Sequence, residues 1–149
     1  MRVRSEKVNK PQSLRRALNK AVSYIRDNPD KLHLFVDNGS LVTTGASSMS
    51  WEYRYTLNVI ITDFVGDQNI LMAVVIAWLR QHQPDLLANP DQRQHGFSFE
   101  AIIQSNAVCD LILDLRLTER ALAHQQDDTV IVTTIDEPEP PQEYWLEKR

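Results

Sequence analysis

The chain has 149 residues, 42% of them hydrophobic and 24% charged, with a formal net charge of −4. That length suits one domain burying roughly two thirds of its unfolded surface, and the balance excludes a wholly disordered chain. The longest apolar stretch, residues 70–79, falls well short of the ~20 residues of a membrane span. An acidic balance argues against a bulk electrostatic footprint for nucleic acid, and a single cysteine, Cys109, rules out an internal disulfide.

Residues 1–9 carry Arg2, Arg4, Glu6 and Lys7 with little that is apolar, so a flexible N-terminal extension is expected there. No leading apolar run resembles a signal peptide, and the chain is read as cytosolic and soluble. Residues 10–136 read as a single domain. A helix is expected after Pro11, with Ser13 as its N-cap. Leu14, Ala17, Leu18, Ala21, Val22 and Ile25 fall on one stripe of it, and Asn28-Pro29 stops it.

Leu32–Val36 reads as a strand, Asp37-Asn38-Gly39 as a hairpin turn and Leu41–Thr43 as the return strand. The small, polar stretch Gly45–Ser50 reads as a connector. Trp51–Phe64 then alternates with the two-residue period of a strand. Trp51, Tyr53, Tyr55, Leu57, Val59 and Ile61 fall on one side, and only Ile60 and Phe64 interrupt the polar side.

Asp67 is the expected N-cap of a second helix whose run Ile70–Leu79 is apolar on nearly every face. A sheet uses one stripe of such a helix. The surplus, assigned to Met72, Ile76 and Leu79, is expected to meet the first helix or another subunit. Pro84–Gln94 reads as a surface loop.

Phe97–Ile103 alternates weakly, and Cys109–Leu117 alternates strongly before its apolar face fades. Val130–Ile135 returns, making a long hairpin whose tip, His124, Gln125, Gln126, Asp127 and Asp128, is polar. With Arg120, that tip is expected to reach beyond the sheet and touch an adjacent subunit or another partner. Residues 137–149 open with Glu137-Pro138-Glu139-Pro140-Pro141, an acidic, proline-rich tail that cannot extend a ladder. The fold class expected is α+β, a mainly antiparallel sheet with two helices on one face.

Chemistry is sparse. The four glycines, Gly39, Gly45, Gly66 and Gly96, are scattered and make no phosphate loop. His33, His82, His95 and His124 lie in different elements, so neither a metal nor a cofactor is expected. Asp110 and Asp114 share a strand face opposite the leucines, where a solvated face is the simpler reading of the pair. The expectation is a protein without catalysis.

Several stretches in the same order carry a resemblance: Asn9-Lys10-Pro11-Gln12-Ser13-Leu14-Arg15, Phe35-Val36-Asp37-Asn38-Gly39-Ser40, Tyr55–Val59, Asp63–Asp67, Trp78-Leu79-Arg80, Gln83-Pro84-Asp85 and Leu117-Thr118-Glu119-Arg120. Together they resemble the tail completion protein R family of temperate contractile-tailed phages. The resemblance implies a structural virion protein of the tail, assembled in the host cytoplasm, that completes the top of the tail for head joining. Its order of elements is similar to that of tail terminators, which form a ring, commonly a hexamer. The implied partners are further copies of itself, the tail tube protein and head-completion or connector proteins. No membrane and no direct nucleic-acid contact are implied. The alternative is a nucleic-acid-binding assembly factor using Arg2, Arg4, Lys7, Arg15, Arg16 and Lys20.

Overall fold

Residues 2–5, 9–43 and 49–135 are described by a computed structural model. In chain order they form β1 (Arg2–Ser5), α1 (Lys10–Ala21), α2 (Ser23–Asp27), a short 3-10 turn, β2 (Leu32–Thr43), β3 (Met49–Phe64), α3 (Gln68–His82), α4 (Pro84–Ala88), α5 (Pro90–His95), β4 (Phe97–Ile103), β5 (Cys109–Gln126) and β6 (Thr129–Ile135). The fold is α+β. The sheet runs β1-β6-β5-β3-β2, with β4 also paired to β5. Every pairing is antiparallel except the parallel one between β1 and β6.

The alternation read in 51–64 is the alternation observed. Tyr55, Leu57, Val59 and Ile61 of β3 and Leu111, Leu113, Leu115 and Leu117 of β5 are buried, and they share one cluster with Leu14, Leu18 and Ile25 of the first two helices. Leu71, Val75, Trp78 and Leu79 of α3 complete that core. Phe64 departs from the parity of β3 because the register slips between Ile61 and Phe64, with Asp63 at φ 53°. One extra residue turns Phe64 inward, where it is 2% exposed and meets Tyr24 edge-on.

Several expectations are corrected. Asp37-Asn38-Gly39 is no hairpin turn. β2 is one strand that keeps pairing with β3, and the register shifts by one residue between Asp37 and Ser40, with Asn38 at φ 51°. Positive φ serves a bulge as well as a turn. The bulge changes parity, so Leu41 faces the same side as Val36 and Leu34. The sequence pattern showed the special backbone but not which structure would use it.

Ser13 does not cap α1, which starts three residues earlier with Asn9 at its cap position; its hydroxyl accepts from the Trp78 indole N–H at 3.1 Å. That bond ties α1 to α3. The expected loop 84–94 is two short helices, each with proline in its first turn, and Asn89 caps α5 by accepting from Asp91 and Gln92 N–H. Leu86 anchors α4 in the core at 1% exposure. The described residues therefore hold five α-helices where two were expected. Arg2–Ser5, expected as part of a loose extension, pairs with Thr129–Val132; the outer edge of β6 offers backbone groups that a short strand can satisfy. Asp67 caps α3 as expected, accepting from Asn69 N–H at 2.8 Å. Residues 44–48, in the expected connector, and the tail 137–149 lie outside the described residues.

Candidate assembly interface

β3 pairs along nearly the whole of one edge of β5. On the other edge, β4 pairs with Cys109–Leu115 and β6 with Arg120–Gln126. This leaves a notch at residues 116–119 where β5 has no strand beside it. An unpaired buried backbone costs free energy, and side chains fill the gap. Gln83 Oε1 accepts from Thr118 N–H at 3.0 Å, and Lys10 Nζ donates to the Thr118 carbonyl.

Lys10 Nζ also donates to Gln83 Oε1 at 2.7 Å, and Gln83 Nε2 donates to Thr118 Oγ1 and Asp85 Oδ1. Glu119 accepts from Lys10 N–H with Oε1 and from the Tyr55 hydroxyl with Oε2 at 2.7 Å. Burial, with the Glu119 carboxylate beside it, pushes the Tyr55 hydroxyl far above its ordinary value and keeps it a donor. Lys10 and Gln83, at 6% and 1% exposure, are the buried polar residues of the described chain. Sequence reading missed both, because nothing in their type marks them as buried.

Gly96 completes the notch. Its carbonyl accepts from Arg116 N–H at 2.8 Å, and a Cβ on it would fall 2.5 Å from the Gln92 carbonyl and 2.9 Å from Leu86 Cγ. Only a residue without a Cβ fits between the end of α5 and Leu86 of α4. Four of the seven stretches that carry the family resemblance meet here: Lys10, Tyr55, Gln83, Thr118 and Glu119 are one hydrogen-bonded unit.

Beyond the notch β3, β5 and β6 continue as an arm. The core cluster ends at Tyr55 and Leu117. On the same face further out stand Leu41, Met49 and Tyr53, exposed by 53%, 47% and 43%, with Trp51 edge-on to Tyr53. The expected polar tip is present: His124, Gln125, Gln126, Asp127 and Asp128 are all exposed, with Arg120 exposed at the base of the arm. The turn is only two residues, because Gln126 pairs with Thr129.

The expected surplus face of α3 is divided. Leu79 is wholly inside the chain's own core and presents nothing to a partner. Met72 is half-buried against that core, whereas Ile76 is 43% exposed. Ile70, which sequence reading did not single out, is 55% exposed and extends the apolar surface with Ala73 and Ala77. The stripe was legible, but its angular setting depends on where α1 lies.

Asp110 and Asp114 are not brought together as a catalytic pair. Asp110 Oδ1 accepts from Asp63 N–H at 2.9 Å and from Gln104 Nε2 at 2.8 Å. Asp114 lies nearer Asp37 and Glu100, and burial followed by those two charges raises its carboxyl above the ordinary range. Among the described residues no three His, Cys, Asp or Glu side chains are placed to hold a metal, and no helix is long and apolar enough to cross a membrane.

The family model for P2 phage tail completion protein R (GpR) matches residues 8–140. Tail completion protein R of Escherichia phage P2 is 49% identical over 133 residues, covering 89% of this chain and 86% of that protein. No solved structure gives a significant match. With most of its length matched by family and relative alike, the chain belongs to the P2 phage tail completion protein R family.

Proposed function

We propose that the protein caps the head-proximal end of a phage tail as a ring of its own copies and thereby readies the tail for head joining. Membership of a tail completion family supports a structural role in tail assembly without catalysis. The observation that carries the ring is the presence of two different apolar surfaces on one chain. One is the exposed arm patch of Leu41, Met49 and Tyr53; the other is the outer stripe of α3 with Ile70 and Ile76. Closed rings use heterologous contacts, in which one patch meets a different patch on the next copy. The architecture is proposed to be terminator-like, with α1 and α3 as the helix layer of one sheet face and the polar tip touching the tail tube protein, a neighbour or a head-completion protein.

Light scattering of the purified chain tests the ring. A hexamer would weigh about 103 kDa, six chains of 17.2 kDa. Ile76→Asp, at an exposed position, is expected to give folded monomers; a variant that stays as associated as the parent removes α3 from the interface. The tip is tested by deleting Gln125, Gln126, Thr129 and Val130 together. His124 and Ile131, already partners, then flank the Asp127-Asp128 turn and the register survives. Tails carrying this variant are expected not to join heads, and a normal yield of infectious particles would show that the tip has no part in assembly.

A further inference from the structure

The outer face of the sheet, opposite the core, carries a groove of about 910 Å³ beside the notch. Its lining includes Arg54 of β3 and Arg116 and Arg120 of β5, with Asn38 of the β2 bulge on one side and Asp85 of α4 on another. Three arginines on a chain of net charge −4 are a local reversal of sign. Glu52 offsets part of it, bonded to Arg54 at 2.7 Å and to Arg120 at 3.5 Å, and these bonds, that to Arg54 first, hold its carboxyl below the ordinary range. Asp85 receives the Gln83 amide. Arg116 has no carboxylate within ion-pair distance among the described residues. The groove thus holds, at Arg116, a guanidinium with no carboxylate partner among the described residues, at one end of a row whose other two arginines, Arg54 and Arg120, share one acid.

β6 delivers the chain to this place. Its last residue, Ile135, pairs with Arg120, so the strand ends running toward the notch. The ladder positions there are taken by Lys10 and Gln83. The Glu119 carboxylate lies on the core side of this point, and Arg116 and Arg120 lie on the outer side. The sequence that follows is Asp136-Glu137-Pro138-Glu139-Pro140-Pro141-Gln142-Glu143, with four acids and three prolines in eight residues.

We propose that this acidic stretch, 136–143, seats in the Arg54/Arg116/Arg120 groove of its own chain. Arginine is suited to the task because its planar fork can take a carboxylate through two hydrogen bonds. Proline suits the occupant, since a segment without those N–H groups cannot add to a ladder and is already restricted toward an extended form. The reach suffices: eight extended residues span about 26 Å, whereas Arg120 to Arg116 along β5 is about 13 Å. The contact is electrostatic and partly exposed, so salt weakens it.

The test uses the full chain, with a nitroxide on Gln142→Cys in a Cys109→Ser background and amide signals read by NMR. Amides of Thr56, Arg116 and Arg120 are expected to lose most of their intensity, while those of Ala17 and Lys20 on α1 keep theirs. Raising the salt to about 1 M, where the screening length falls to about 3 Å, is expected to restore them, as is Arg54→Glu with Arg116→Glu. Both substituted side chains are exposed and outside the core, so that variant retains the fold. Unchanged intensity at Arg116, or losses centred on Glu119 and α1, overturns the proposal. So does broadening that appears only in unlabelled copies mixed with labelled ones, which would place the segment on a neighbour.

Discussion

β3 and β5 pass through two regions of the molecule on one continuous face. In the body, Leu57, Val59 and Ile61 face inward beside Leu111, Leu113 and Leu115, each at 0% exposure beneath the helices. In the arm the same parity gives Met49, Trp51 and Tyr53 on β3, and Glu119, Ala121 and Ala123 on β5. The backbone is equally well paired in both. What changes is the layer above, and the residue types follow it: branched aliphatics where a helix lies overhead, small and amphipathic residues where none of the described helices does. Stability is therefore concentrated in the body, and the arm is available for contacts between molecules.

The largest expected effect tests that division. Leu115→Ala removes buried methyl groups from a site with no room to relax and is expected to cost about 2–5 kcal/mol in urea unfolding. Tyr53→Ala and Met49→Ala, on the arm, are expected to stay within about 1 kcal/mol yet to weaken association by light scattering. Equal losses at Leu115 and Tyr53 would show that the arm belongs to the core.

The boundary between the regions is the notch, and the next effect lies there. Gln83→Ala removes the Oε1 that accepts from Thr118 N–H and one of the acceptors of Lys10 Nζ, at an expected cost of about 1–3 kcal/mol. Hydrogen exchange gives the local readout: the Thr118 amide should lose protection more than the Leu113 amide. If the two change alike, Gln83 supports the whole fold and not the boundary.

How far the sequence shows this division depends on the kind of signal. The body was legible because Leu111 to Leu117 and Leu57 to Ile61 repeat with period two, and the Asp67 cap is local chemistry. The arm was half legible: the fading of the apolar face after Thr118 is in the sequence, whereas the exposure of Leu41 and Met49 depends on where the helices end. The bulge at Asn38 shares its residue preferences with a turn, so local reading could not separate them. Lys10 and Gln83 are 73 residues apart and meet through topology alone.

A smaller, pH-dependent effect separates the two faces of the body. Asp114, on the outer face, has Asp37 of β2 and Glu100 of β4 as acidic neighbours and Asn58 as its cross-strand partner on β3. Its folded-state carboxyl titrates above the unfolded one, so the native state holds the extra proton between those two values. Stability therefore falls as pH rises through the folded value, and the cost is present in full at neutral pH. Asp114→Asn is expected to melt at a higher temperature than the parent at neutral pH. The gap should close as pH falls to about 4, the ordinary aspartate value. A gap independent of pH would mean that Asp114 is not the titrating group.

The smallest effect concerns the far end of the arm. Asp127 opens the two-residue turn between Gln126 and Thr129 at φ 56°, a conformation that L side chains resist and glycine adopts freely. Its side chain is exposed and next to a second aspartate, so the two charges repel across the turn. Asp127→Gly removes both the left-handed strain and one charge, and it is expected to stabilise the chain by up to about 1 kcal/mol, offset in part by glycine's greater freedom when unfolded. If the turn only closes a hairpin, head joining by tails carrying Asp127→Gly should be as efficient as the parent's. If the Asp127 carboxylate contacts a partner, the same variant will be more stable in urea and yet yield fewer infectious particles. That opposition of signs assigns the tip to assembly, because a purely structural turn would move both measurements in the same direction or leave the second unchanged.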